Sequence, residues 1–359
     1  MIKFALVLWK SFNPLLLPHT KGLKQKKDQK INKEVKGFFV NEILTEKLKK
    51  YKKHKKLAES VDLYQKYKNV SILKAESCAY CGNSLSFAKW QNKETAELRY
   101  TLENANFCKN RWCPMCAWRK TKKVADEIKS ILGQIEAKQE VKYLFLTLTI
   151  KNANLTDLKA TTKHLSESFK RLVETKRFKG SVLGFVRAVE FMGDNTKKGE
   201  AHPHFHTILI VPKSYAKNKT YIPQKEWVEM WRKALRADYD PVVDIRAIKA
   251  KNENWKDSDS AVFETIKYSV KPQELSKMSE SDFLILDSQT KNIRQYNKGG
   301  LMRKYKPIPD EKIDEDLWEQ MKIEYFNFVN GEYKKCATKK EADQKNHIKQ
   351  KQKVSDSQN

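Results

Sequence analysis

Three of the chain's seven histidines stand at alternate positions in Ala201-His202-Pro203-His204-Phe205-His206, directly ahead of the apolar run Thr207-Ile208-Leu209-Ile210-Val211. In an extended strand, residues i, i+2 and i+4 project from one face. His202, His204 and His206 would therefore share a face with Ile208 and Ile210, while Phe205, Thr207, Leu209 and Val211 point the other way. Neutral imidazole is the commonest side-chain ligand of divalent metals, so imidazoles side by side at a strand start make a metal site. The plainer reading is a strand that uses its histidines for packing, and a tight triplet in a His-poor chain argues against it.

A second cluster is made of thiols. Five of the six cysteines fall between Cys78 and Cys116. Cys78-Ala-Tyr-Cys81-Gly82 and Cys113-Pro-Met-Cys116 are two C-x-x-C pairs, with Gly82 placed to let the chain turn. Four thiolates so spaced satisfy a tetrahedral Zn²⁺ completely; Cys108 is a surplus thiol able to replace one of them. This usage fits a structural metal in a reducing cytoplasm rather than a disulfide scaffold. The neighbouring Lys109, Arg111, Arg119 and Lys120 make the module a DNA-facing candidate, while Trp112 and Trp118 are expected to pack around it.

The third group lies further on. From about Ser260 to Pro272 the spacing of Phe263, Ile266 and Val270 predicts a helix with its apolar stripe toward a sheet. Glu264, Tyr268 and Lys271, at i, i+4 and i+7, fall on another face. A phenol flanked by a carboxylate and a lysine, in the same region as a histidine metal strand, reads as a nucleophile carrier.

The elements that must position these groups follow from the apolar rhythm. Strands are expected over Tyr143–Ile150, Val182–Phe191, the histidine run and Val242–Ile248, with helices over Leu155–Lys176, Pro223–Arg236 and the tyrosine segment. Gly193-Asp194-Asn195 marks a turn. The order β-α-β-β-α-β-α folds most simply as an antiparallel sheet with helices on one face. Residues 19 to 69 are lysine-dense with helical patches and nothing resembling a core. Leu317 to Val329 has helical spacing through Trp318, Met321, Tyr325 and Phe328, and Gly299-Gly300-Leu-Met-Arg-Lys-Tyr305 reads as a flexible basic loop.

Charge restricts the partners. The 359 residues carry 72 Lys+Arg against 44 Asp+Glu, a formal net charge of +28. Such a field attracts a polyanion, nucleic acid before an anionic membrane. No apolar run approaches the ~20 residues of a spanning helix. Met1–Pro18 comes nearest, but Lys3, Lys10 and Pro14 interrupt it, leaving a short buried or amphipathic arm.

Phe145-Leu-Thr-Leu-Thr149, His202-Pro-His-Phe-His206 and Glu264-x-x-x-Tyr268-x-x-Lys271 occur in this order behind a cysteine module. Over residues 78 to 271 the chain resembles the Rep initiators of small rolling-circle plasmids, in the HUH endonuclease superfamily. The resemblance implies an α+β fold: a five-stranded antiparallel palm of ferredoxin-like, split βαβ order, flanked by helices, with a Cys-rich zinc module and basic extensions. Taken with the composition outside those motifs, the expected organisation is a partly ordered basic arm (1–75), the zinc module (76–125), a nicking and joining domain (140–275), a helical extension (276–333) and a disordered tail (334–359). His204-Phe205-His206 matches the triad that binds Mg²⁺ or Mn²⁺ in that superfamily, and Glu190, on the preceding strand, completes the site with His202 as competitor. Tyr268 would cut one DNA strand at the plasmid origin, leaving a 5′-phosphotyrosine and a 3′-hydroxyl primer, and Glu264 would activate water for the terminating cleavage. The implied partners are origin DNA, single-stranded in a hairpin at the nick, and host helicase and polymerase in the cytoplasm, with a homodimer left open. A transposase or relaxase of the same superfamily and a non-catalytic zinc-containing DNA-binding regulator are the rival readings.

Overall fold

The computed structural model describes residues 24–193, 196–217, 219–250, 256–266, 270–309 and 313–339; the side chains of 24–41 and of Phe263 and Glu264 are outside the described set. The Met1–Pro18 arm, the turn at Asp194-Asn195, Tyr268 and most of the 334–359 tail thus lie outside the described residues. By its contacts the chain divides into two compact units, Met1–Lys49 and Lys50–Asn359. Helix α1 (Lys24–Val61) runs across the division, and all strands belong to the second unit.

After α1 come α2 (Leu63–Tyr67), α3 (Ile72–Ala79), β1 (Ser84–Asn92), β2 (Leu98–Ala105), α4 (Pro114–Glu136), β3 (Val141–Thr149), β4 (Ala153–Asn154), α5 (Leu158–Glu174) and α6 (Lys176–Ser181). The chain continues through β5 (Gly184–Glu190), β6 (Glu200–Ala201), β7 (His204–Pro212), α7 (Gln224–Leu235), β8 (Val243–Ala247), α8 (Asp257–Thr265), α9 (Pro272–Lys277), α10 (Glu280–Gln289), β9 (Tyr296–Gly300), β10 (Trp318–Val329) and β11 (Glu332–Cys336).

The central sheet has five strands in the order β8-β3-β7-β5-β9, every pair antiparallel. Its strands are rich in apolar and β-branched residues because both faces are covered. On one face Leu144, Leu146, Leu148, Phe205 and Leu209 meet Leu165, Phe169 and Leu172 of α5 and the fully buried Trp227 and Trp231 of α7. On the other, Tyr143, Phe145, Val186, Ile208 and Ile210 meet Ile128, Ile131 and Ile135 of α4 and Ala261 and Val262 of α8. Each large side chain so buried contributes about 1.5–3 kcal/mol relative to exposure. The one-sided covering expected from the element order is therefore corrected: α4, a helix ahead of the expected elements, joins α8 on the second face. Its signal was present in Pro114 at the first turn and in the 3–4 spacing of Val124, Ile128, Ile131 and Ile135.

A second, four-stranded antiparallel sheet has the order β11-β10-β1-β2. The expected helix over Leu317–Val329 is instead strand β10, paired with β1 from Ser84–Asn327 to Asn92–Trp318. The same residues have helical spacing, but a long-range partner supplies a ladder of hydrogen bonds that a lone helix would have to make by itself. The basic loop at 299–305 is likewise corrected: Gly299 and Gly300 end edge strand β9, and Leu301–Arg303 form a 3₁₀ turn. Residues 50–67 are not an arm, since Val61, Leu63 and Tyr67 are buried in the core.

His54 of α1 stacks on Trp118 of α4, with centroids 4.3 Å apart and planes 10° apart. Burial, with Lys53 adding to it, pushes the imidazole down to about 4. The folded state thus favours the neutral ring: its stabilisation is complete above the unfolded value of about 6.5 and is lost as pH falls toward 4. Denaturant midpoints between pH 7.5 and 4.5 are expected to fall less in His54→Gln than in the parent protein; parallel curves would refute the coupling.

Candidate metal centre and cysteine site

The registers that align β5, β7 and β3 build the first site. Glu190 stands directly opposite His204, Ala188 opposite His206, and Thr147 and Thr149 flank the histidines from the other side. His204 Nε2 lies 3.1 Å from His206 Nε2, and Glu190 Oε2 lies 3.0 Å from His206 Nε2 and 3.5 Å from His204 Nε2. The three side chains are almost buried. A six-coordinate ion with ligands at 2.0–2.1 Å spaces adjacent donors about 3.0 Å apart, so the arrangement fits one face of such a shell. Two imidazoles and one carboxylate leave further positions for oxygen ligands.

The surroundings orient the rings. His204 Nδ1 donates to the carbonyl of His202 at 2.8 Å, which leaves Nε2 as the free lone pair. His206 Nδ1 meets Thr147 Oγ1 at 3.3 Å, and its ring stacks on Phe145 with centroids 5.3 Å apart. Burial pushes the Glu190 carboxyl up, but hydrogen bonds and charge from His204 and His206 outweigh it and bring it down to about 2. The carboxylate is thus held ionised, as a ligand must be.

His202 precedes β7 and stands apart from this set. Its Nδ1 is 2.7 Å from Asn152 Oδ1, and its backbone N–H donates to Phe191. Of the two candidates for third ligand, the geometry brings Glu190 to the histidines and leaves His202 beside them. Nothing local in the sequence marks Thr147 and Asn152 as the residues that hold the rings, because only the fold brings them near.

The second site gathers Cys81, Cys108, Cys113 and Cys116, whose sulfurs all lie within 4.8 Å of one another. Cys81 and Cys116 are 3.5 Å apart and Cys108 and Cys116 3.7 Å; tetrahedral thiolates at 2.3 Å from an ion would be about 3.8 Å apart. This corrects the expected set, since Cys108 takes the place of Cys78. The reason is local: Cys78 is buried in α3, which ends before the turn, while Gly82 (φ +72°) and Asn106 swing Cys81 toward Cys108. Cys113 caps α4, and S–H donors from Cys108, Cys116 and Cys81 hold its thiol well below the usual range.

The remaining site candidates are dispersed. Helix α8 ends at Thr265, and Lys271 is an extended, exposed residue capping α9. Ile266 already leaves the helical region and Lys271 is extended ahead of Pro272, so the single helix expected from Ser260 to Pro272 is corrected and Glu264 and Lys271 do not share one continuous helical face. Arg111 donates to the carbonyls of Thr290 and Ile293, and Arg119 lies 3.7 Å from the Phe107 ring centre, so both are held by the protein. Lys109 and Lys120 are exposed. Trp112 is buried, its Nε1 donating to Asp287 at 2.9 Å, and so packs as expected.

A family model described as "Replication protein" matches residues 99–348, well over half the chain. The chain belongs to the replication protein family of plasmid initiators. A curated "Protein rep" of Streptococcus pneumoniae serotype 2 is 36% identical to this initiator over 240 residues, 66% of this chain and 71% of that protein. Another, from Bacillus amyloliquefaciens, is 36% identical over 247 residues, 64% and 71% of the two chains. A third, from a Bacillus species, is 42% identical over 178 residues, 50% and 56% of the two. No solved structure matches. The matched segment of the initiator contains the Glu190, His204, His206 set and three of the four clustered cysteines, Cys81 preceding it. No helix among the described residues is long and apolar enough to cross a membrane.

Proposed function

We propose that this initiator starts rolling-circle replication by nicking one strand of origin DNA, with Tyr268 as nucleophile and Glu190, His204 and His206 holding Mg²⁺ or Mn²⁺. The observation that carries this reading is the convergence of two imidazole nitrogens and a carboxylate oxygen on one sheet face of a strongly basic chain. Helix α8, which leads into the tyrosine segment, packs on that same face through Ala261, Val262 and then Ile266. When bound, the ion polarises a non-bridging phosphate oxygen and offsets charge developing in the transition state.

The Tyr268 oxygen attacks phosphorus as it gives up its proton, the bond from phosphorus to the 3′-oxygen breaks, and that oxygen is protonated. The products are a 5′-phosphotyrosine and a 3′-hydroxyl that host polymerase extends, with host helicase opening the duplex. A phenol titrates near pH 10, so its proton must leave during attack, and Lys271 is the chain's candidate to ease that loss. Glu264 activates water for the second cleavage, ending the cycle by hydrolysis rather than religation. The cysteine site takes a structural Zn²⁺, and surface lysines hold phosphates with an affinity that falls steeply with salt.

The test is to incubate the full-length protein with Mn²⁺ and supercoiled plasmid carrying its own origin. Relaxed DNA linked to protein through a detergent-stable, protease-sensitive bond is the expected product; plasmid that stays supercoiled, or relaxes without attached protein, overturns the reading. In the same assay Glu264→Gln is expected to keep the first nick within about threefold while termination falls about a hundredfold or more, the span of a lost general base. Equal loss of both steps would remove Glu264 from its assigned role.

A further inference from the structure

The face of the central sheet turned away from the metal triad holds a charged group that the nicking chemistry does not use. Arg187 is on β5, and its side chain alternates with that of Glu190 to the opposite face. Its guanidinium lies 4.0 Å from the Phe205 ring centre and 4.8 Å from that of Phe169. Its Nε and Nη1 are buried and have no hydrogen-bond partner among the described residues, and the same is true of Oγ1 of Thr207, directly opposite across the β5–β7 pair. Burial lowers the guanidinium to about 10. Ring faces offset part of the cost of a desolvated cation but make none of its hydrogen bonds.

This side chain lines a cavity of about 560 Å³ between α5, α6 and the β5–β9 edge of the sheet. Lys170, Lys179 and Arg303 add three cations to the wall, against the single carboxylate of Glu174. Phe178 and Phe185 add flat apolar surface. The Phe185 ring occupies the space beside Gly299, where a Cβ would fall 2.3 Å from it. The volume is in the range of small-molecule sites. Cations for a phosphate beside aromatic faces for a ring are the combination that binds nucleotides.

We propose that this cavity binds a nucleoside phosphate, with Arg187 at its base and Lys170, Lys179 and Arg303 around the phosphate. The ligand is either one nucleotide of a single DNA strand or a free nucleotide. The site is independent of Tyr268 and of the metal triad, so it stands or falls separately from the nicking reaction.

Calorimetric titrations would use full-length protein in a His206→Ala background without added divalent metal, which removes phosphate binding at the triad. The probes are ATP, 5′-phosphorylated tetrathymidylate and inorganic phosphate. At least one of the first two is expected to bind, and Arg187→Met to weaken it about tenfold or more, the worth of a charged hydrogen bond. Lys179→Ala and Arg303→Ala, at the cavity wall, should each weaken it about threefold and decide the matter if Arg187→Met does not fold. Preference for the oligonucleotide assigns the site to a DNA strand, and preference for ATP assigns it to a free nucleotide. Inorganic phosphate binding as tightly as either, no binding at all, or variants that bind like the parent would overturn the proposal.

Discussion

Tyr268→Phe is expected to leave origin plasmid supercoiled and free of covalently attached protein, with the nicking rate reduced about 10⁴-fold or more. Losing an attacking group costs on that order because the remaining machinery has no oxygen to deliver. Binding of the origin hairpin should stay within about twofold, since one hydroxyl is a small part of an interface dominated by phosphate contacts. His206→Ala is the informative companion. It removes the imidazole that lies 3.1 Å from His204 and 3.0 Å from Glu190. Its nicking should fall about a thousandfold and recover in part at high Mn²⁺, because two ligands remain. Tyr268→Phe should show no such recovery. A protein–DNA adduct that survives Tyr268→Phe would move the nucleophile to another of the chain's fourteen tyrosines, to be found by mapping the linked peptide.

The second large effect separates two neighbouring thiols. Cys108→Ala is expected to abolish retention of Zn²⁺ and lower the melting temperature by about 10 °C or more, whereas Cys78→Ala should keep the ion and lose about 3 °C. Ion binding to a four-thiolate structural site is worth about 10–16 kcal/mol, comparable with the whole stability of a domain. Removing one of four converging sulfurs forfeits much of that. Truncating the buried Cys78 leaves only a small void, worth about 1 kcal/mol. The consequence should travel, because Arg111 and Trp112, between Cys108 and Cys113, hold the carbonyls of Thr290 and Ile293 and the carboxylate of Asp287. Loss of tertiary signal from the buried Trp112 would report it. The reverse order, with Cys78→Ala losing the ion, would restore the two C-x-x-C pairs as the ligand set.

The histidine strand and its carboxylate could be read in advance because strand periodicity is a local property. Once His204 and His206 share a face, an acid opposite them must come from a neighbouring strand, and Glu190 stands on the one that precedes them. The strands and helices from Val141 to Leu235 announced themselves similarly, through runs of apolar and β-branched residues between turn signals. What escaped depends on partners far along the chain. Met321, Tyr325 and Phe328 fit a helix as well as a strand until β1, more than two hundred residues earlier, is known to lie beside them. Cys108 looked surplus because motif spacing counts residues, whereas a coordination site counts distances between sulfurs. The end of α8 at Thr265 was hidden by apolar spacing that continues to Val270 after the helix has stopped.

The pairing of β10 with β1 also bears on how the protein is made. During synthesis β1 and β2 leave the ribosome long before residues 318–336, so the outer edge of β1 stays open through most of translation. An open strand edge is a template for unwanted association. Chains ending before Trp318 would carry the triad, the four clustered cysteines and the segment holding Tyr268 yet lack two of the four strands of the sheet beside the cysteine site. Premature termination should therefore yield aggregates rather than folded fragments that compete with the finished protein.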